Sequence, residues 1–303
     1  MRASLKRSLE LLLTSKKALA LHQWRARGRA VVLAYHNVIP DNEPLTGESP
    51  LHLQGSEFRE QLDLLMEFAD VVPLERILES PSDPSERRLR AAITFDDAYI
   101  GTLRVGIPEL VKRELPASFF VSPGLLGAPA FWWDALAAQG PDCHRECLGR
   151  LHGKGDVVMA WARHNEMAIK EQEAHQRPST IEELLEVAAH PSAERMSFGP
   201  HTIHHPNLTG LTDTEIEAEI SGSKKWLERE GLQTTNWFAF PYGLTSPIVE
   251  EVCRRSGVGG ALIVSGGWVP TGEINRFCVP RVPIPRGISP ENFLLRLLGV
   301  ISY

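Results

Sequence analysis

Four cysteines in 303 residues, spaced irregularly at positions 143, 147, 253 and 278, are too few to staple a chain of this length. A disulfide framework is therefore excluded, and reduced, mostly structural thiols are expected. Cys143 and Cys147, with His144 and His152 close by, match no common zinc-ligand spacing. Long apolar runs are also missing. Leu9 and Leu11 to Leu13 form a short patch that Lys16 and Lys17 interrupt, short of the roughly 18 residues of a membrane-spanning helix. Glu10 inside that patch, with no cleavage site beyond it, argues against a cleavable secretion signal. The net charge is −6, without the basic excess that nucleic acid binding leaves, so no nucleic acid partner is expected. Aromatics make up only 7% of the chain, yet Phe131-Trp132-Trp133 gathers three of them.

What remains is ordinary for a globular protein with a sizeable core: 43% hydrophobic and 23% charged residues. The expected setting is the cytoplasm. Residues 1–29 are rich in Lys and Arg and are set apart as a basic amphipathic N-terminal helix. They offer two readings: a helix lying peripherally on an anionic membrane surface such as the inner membrane, or a plain packing helix.

From residue 30 to 303 short β-rich runs alternate with helical patterns, which indicates βα units around a parallel sheet. Val31 to Tyr35, Ala91 to Phe95, Ala117 to Val121, Asn236 to Phe240 and Gly260 to Val264 read as strands. Ser56 is expected to open a helix reaching Phe68, and another is expected over Thr102 to Glu114. Thr180-x-x-Glu183 and Thr212-x-x-Glu215 are capping boxes, and Ser246-Pro247 and Ser289-Pro290 start two more helices. Residues 141–193 are polar and helical and read as an insertion. His36, Asp96, Asp97, His201 and Tyr242 all fall just past strand ends. A barrel gathers those ends at one rim, whereas an open doubly wound sheet gathers only those at its switch point. The expected fold is α/β, a distorted or incomplete (β/α) barrel of about seven parallel strands with a helical insertion.

Asp96 and Asp97 follow an apolar strand, and His201 and His205 follow another about a hundred residues later. One carboxylate and two imidazoles can hold a divalent ion with a position left for water, and the spare carboxylate can take that water's proton. Against this stands the plainer role of an Asp as a helix cap. His204, between the two imidazoles, is expected either to support the site from behind its ligands or to face solvent. Trp132 and Trp133 suit either a sugar-stacking platform or core packing.

Thr94-Phe95-Asp96-Asp97, His201-Thr202-x-x-His205-Pro206 and Phe238-Ala239-Phe240-Pro241-Tyr242-Gly243 together resemble, in order and spacing, the polysaccharide deacetylase (NodB-homology) family. Leu33-x-Tyr35-His36, Phe131-Trp132-Trp133-Asp134 and Pro280-Arg281-Val282-Pro283 look like its exopolysaccharide-associated branch. The resemblance implies a metal-dependent N-deacetylase acting on a carbohydrate substrate, an N-acetylhexosamine unit of a polysaccharide, oligosaccharide or lipid-linked glycan. It implies Asp97, His201 and His205 as ligands of a zinc-like ion (cobalt, manganese and nickel being alternatives) and Asp96 as base. Pro241 and Tyr242 would line the groove, the Tyr242 backbone helping to hold the oxyanion. Two departures stand out. Many members carry an arginine where this chain has Ala239, so the brace on Asp96 must come from elsewhere or be missing; Arg281 is the candidate, with a plain surface or groove arginine as the competing reading. No histidine follows His205, so the general acid must be found elsewhere: His36 is the candidate, against a merely buried or capping His36, and Asp96 returning the proton is the third possibility. Hydrolysis of a small amide or imide, or silent glycan binding, are the competing functions.

Overall fold

The computed structural model of the chain describes residues 2–79 and 88–301. Met1, Ser302 and Tyr303, at the outer bounds of the two expected segments, lie outside the described residues. Among the described residues ten strands follow in order: β1 (Ala30–Tyr35), β2 (Asn37–Ile39), β3 (His52–Gln54), β4 (Ala69–Val71), β5 (Leu89–Asp96), β6 (Ala117–Val121), β7 (Met196–Pro200), β8 (Trp237–Ala239), β9 (Gly260–Val264) and β10 (Val279–Pro283). Seven of them pair in parallel in the order β7-β6-β5-β1-β10-β9-β8. β4 pairs with the first residues of β5, ahead of the stretch that pairs with β6.

The two ends of this path meet. The Phe198 N–H donates to the Gln233 carbonyl at 2.8 Å, and the Thr235 N–H donates back to the Phe198 carbonyl at 2.9 Å. The result is a nearly closed barrel of seven parallel strands flanked by helices, as the βα alternation predicts. β2 and β3 form a small separate parallel pair. With three residues each, they are too short to show a periodicity in sequence.

Side chains alternate between the two faces of a strand, and here that alternation decides what reaches the barrel interior. Val32, Ala92, Phe120, Ala239, Leu262 and Val279 share the inner cluster. Their neighbours Leu33, Ile93, Phe95, Phe119 and Phe198 pack outward, in a larger cluster with the helices. Each such large side chain contributes about 1.5–3 kcal/mol on burial. Gly199 is required where it stands, because a Cβ there would come within 2.6 Å of the Phe120 ring.

Both capping boxes and both Ser-Pro helix starts form as the sequence indicates. Two helices differ in their bounds. The helix expected from Ser56 begins at Gly55, where the Glu57 carboxylate accepts the Gln54 N–H at 3.1 Å. The helix expected over Thr102 to Glu114 is regular only over Ile107–Lys112, after a wider turn at Thr102–Gly106. Pro108 has no N–H to give to Arg104, and the turn widens there. Between β6 and β7 lie the helices Gly140–Gly149, Gly155–His164 and Ile181–Ala188, within the stretch read as an insertion.

Candidate active site

Asp96 closes β5 and continues the inward series of Ala92 and Thr94. The chain then leaves the strand abruptly: Asp97 has φ 74° and Ala98 φ 55°, with the Asp97 N–H held by the Phe120 carbonyl at 3.0 Å. This left-handed turn is why two adjacent carboxylates take different surroundings.

Asp96 is gripped by Arg281. Both terminal guanidinium nitrogens lie 2.7 Å from its two oxygens, and one also donates to Thr94 Oγ1 at 3.2 Å. Arg281 sits on β10, across β1 from Asp96. Ala34, the β1 residue registered with both Thr94 and Pro283, is small enough to leave the path clear. Both charges are buried, which is tolerable only because they are paired. Burial would raise the Asp96 carboxyl, but the Arg281 guanidinium, with help from His201, holds it well below the usual carboxylate range.

β7 ends at Pro200, and the loop beyond it is folded by its own polar groups. Ser122 Oγ donates to the His201 carbonyl at 2.7 Å, and the His205 N–H donates to Thr202 Oγ1 at 2.9 Å. His201 Nδ1 donates to the Ala239 carbonyl at 2.7 Å, which leaves its Nε2 as a bare lone pair. Burial pushes both imidazoles below their usual range, His205 further because His201 lies beside it. Neutral rings are the form that binds metal. His204 faces outward, its Nδ1 2.8 Å from Glu219.

Asp97 Oδ1 lies 3.3 Å from His205 Nε2 and 3.6 Å from His201 Nε2, and those nitrogens are 3.1 Å apart. Three ligands on a tetrahedral zinc, each bonded at about 2.0–2.1 Å, stand about 3.3 Å from one another. The triangle therefore fits a single ion. Asp97 Oδ1 is buried without a hydrogen-bond partner among the described residues, as a ligand oxygen would be. Burial, then the charges of Asp96 and Asp134, push the Asp97 carboxyl well above its usual range, a cost that a cation would remove. The donor set and its geometry fit a divalent metal.

The cleft over this triangle has a volume of about 370 Å³. Its walls include His36, Asp96, Asp97, Trp133, Tyr242, His201 and His205. Burial pushes the His36 imidazole down to about 4, against an opposing pull from Asp96. Trp133 and Tyr242 flank the His205 ring at centroid distances of 4.7 and 4.5 Å. Trp132 and Pro241, expected at the groove, are buried and do not line this cleft. Trp132 donates its indole N–H to Tyr242 Oη at 3.0 Å and lines a neighbouring cavity. Both tryptophans are almost fully buried, which favours packing over an open stacking platform.

Sequence reasoning missed the polar chain behind Trp133. The Trp133 indole donates to Tyr99 Oη at 2.8 Å, and the Tyr99 hydroxyl donates to Asp134 at 2.7 Å. Asp134 also takes the His52 Nε2 proton at 3.0 Å, while Asn37 donates to His52 Nδ1 at 2.9 Å. Tyr99, His52 and Asn37, all distant in sequence from Trp133, thus join its neighbour Asp134 in holding the ring that packs on His205, and no spacing along the chain signals such a set.

The family model described as polysaccharide deacetylase matches residues 84–260. The Bacillus subtilis protein YxkH is 21% identical over 264 residues, covering 86% of this chain and 74% of its own. The deacetylase PplD of Streptococcus pyogenes, solved in complex with acetate, superposes with a TM-score of 0.60 at 18% identity, covering 89% of this chain and 98% of its own. IcaB from Ammonifex degensii gives 0.56 at 20% identity, over 88% and 94%. At these identities the solved structures speak for the fold.

Proposed function

This chain belongs to the polysaccharide deacetylase family, and from that premise we propose that it is a metal-dependent hydrolase of N-acetylhexosamine units in a polysaccharide, oligosaccharide or lipid-linked glycan. The observation that carries the proposal is the convergence of Asp97, His201 and His205 on one point, beside an Asp96 kept anionic by Arg281. A divalent ion held by those three residues, zinc first, with cobalt, manganese or nickel as alternatives, would polarise the acetamide carbonyl and acidify a water.

The remaining steps fall to the chain itself. Asp96, an acceptor only while ionised, takes the proton of the attacking water. Arg281 holds both oxygens of that base and so fixes its direction. The Tyr242 backbone N–H serves the oxyanion. His36 is neutral in the free protein, so it protonates the leaving amine only after receiving a proton, for which Asp96 is the donor at hand. Trp133 packs His205 in place and bounds the cleft. The acetate bound by the Streptococcus pyogenes deacetylase is the small product such a reaction releases, and it supports this reading.

Acetate release from acetylated chitooligosaccharides, measured with and without a chelator, tests the proposal. Chelation should abolish turnover. Asp96→Asn should keep the metal, read by elemental analysis, while losing about 10²–10⁴-fold in kcat. Full turnover in the metal-stripped protein, or in Asp96→Asn, would sink it.

A further inference from the structure

The chain is electrically lopsided. Residues 1–29 hold eight Lys or Arg and one acid, Glu10, in a protein whose net charge is −6. They build two helices, Arg2–Leu13 and Lys16–Ala26, neither long and apolar enough to cross a membrane.

The first helix is mounted the wrong way round for a surface in water. Its acid points inward: the Glu10 carboxylate accepts from Asn292 Nδ2 at 2.8 Å and from Ser289 Oγ at 3.1 Å, at the start of helix Pro290–Leu297. Its leucines point outward, Leu9, Leu11 and Leu12 being 54%, 52% and 68% exposed. On the second helix Leu21 and Trp24 are likewise 54% and 63% exposed, while His22 and Ala26 are buried. Exposed Lys16, Lys17, Arg25 and Arg27 accompany this apolar surface. A soluble helix normally shows the reverse arrangement, with charge outward and leucine inward.

We propose that these two helices form a docking surface for an anionic lipid bilayer. Leucines and an indole enter the boundary between headgroups and acyl chains, and the Lys and Arg side chains meet the anionic headgroups. Withdrawal of Glu10 into the body removes the one negative charge that would oppose this. The anchor also places the first helix. Ser289 follows the cleft-lining Pro285 by four residues, at most about 14 Å of extended chain. The Glu10 end of the first helix is thereby tied to the end of the barrel that carries the cleft, while the second helix ends at Ala26, four residues before β1 begins at the opposite end. The docking proposal itself stands apart from the deacetylase reading.

Co-sedimentation of the full chain with vesicles of mixed phosphatidylglycerol and phosphatidylcholine, against phosphatidylcholine alone, tests it. Binding to the anionic vesicles is expected, weakening with salt. The double variants Leu11→Glu/Leu12→Glu and Lys16→Glu/Lys17→Glu should each lower the partition coefficient by about 10-fold or more, with unchanged thermal unfolding. If the leucine pair disturbs folding, the lysine pair carries the test. The proposal is overturned by equal binding to neutral vesicles, or by no binding to anionic ones. It is also overturned if the leucine pair instead abolishes a dimer seen by light scattering while vesicle binding is absent.

Discussion

Arg281 and Asp96 are each buried and each charged, so neither is stable there without the other. With the guanidinium present the Asp96 carboxyl is depressed. Its contribution to stability is then complete above the unfolded value of about 3.9 and fades as pH falls from there through the lower folded value. Arg281→Met should remove about 3–5 kcal/mol near neutral pH. Burial alone then raises the Asp96 carboxyl, so the sign of the pH dependence reverses and the loss should shrink as pH falls to about 5. Urea unfolding of the metal-free protein at both pH values measures this, and equal losses would contradict it. Arg281→Lys should fail to restore turnover, because one ammonium cannot grip two carboxylate oxygens in a fixed fork.

Strand alternation and loop polarity hold these residues where they act. Gly199 faces the Phe120 ring inside the barrel, two residues before His201. Gly199→Ala should therefore cost about 1–3 kcal/mol through overpacking, read as a lower urea midpoint at constant slope. Tyr99 both accepts from Trp133 and donates to Asp134. Tyr99→Phe should cost about 1–3 kcal/mol, since two buried polar groups lose their partner, and metal affinity should fall as Trp133 loosens against His205. Unchanged zinc affinity in that variant would confine Tyr99 to a folding role. The helices were legible at this scale because their caps are local, as at Thr180, Thr212, Ser246 and Ser289. β2 and β3 were not, because their pairing is a tertiary contact between segments too short for a pattern.

At the scale of the whole molecule, an ion that binds the folded triangle and not the unfolded chain must stabilise the fold. Zinc at about 100 times its dissociation constant should add about 2.7 kcal/mol to unfolding. Calorimetry should show the unfolding temperature of the native protein rising with zinc and falling with chelator. Asp97→Ala should respond to neither. A native protein indifferent to both would remove the metal from the account.

The order of residues alone determined the βα alternation, the strand-end placing of Asp96, Asp97, His201 and His205, and the family resemblance, because each rests on patterns a few residues long. Tertiary structure decided which carboxylate meets the imidazoles, since the left-handed turn at Asp97 depends on its bond to β6. It also decided that Arg281 reaches Asp96 across β1, and that Asn37, His52, Tyr99 and Asp134 stand behind Trp133. Arg281 meets Asp96 because β10 and β5 both pair with β1, and the set behind Trp133 joins segments that lie apart along the chain until the barrel folds.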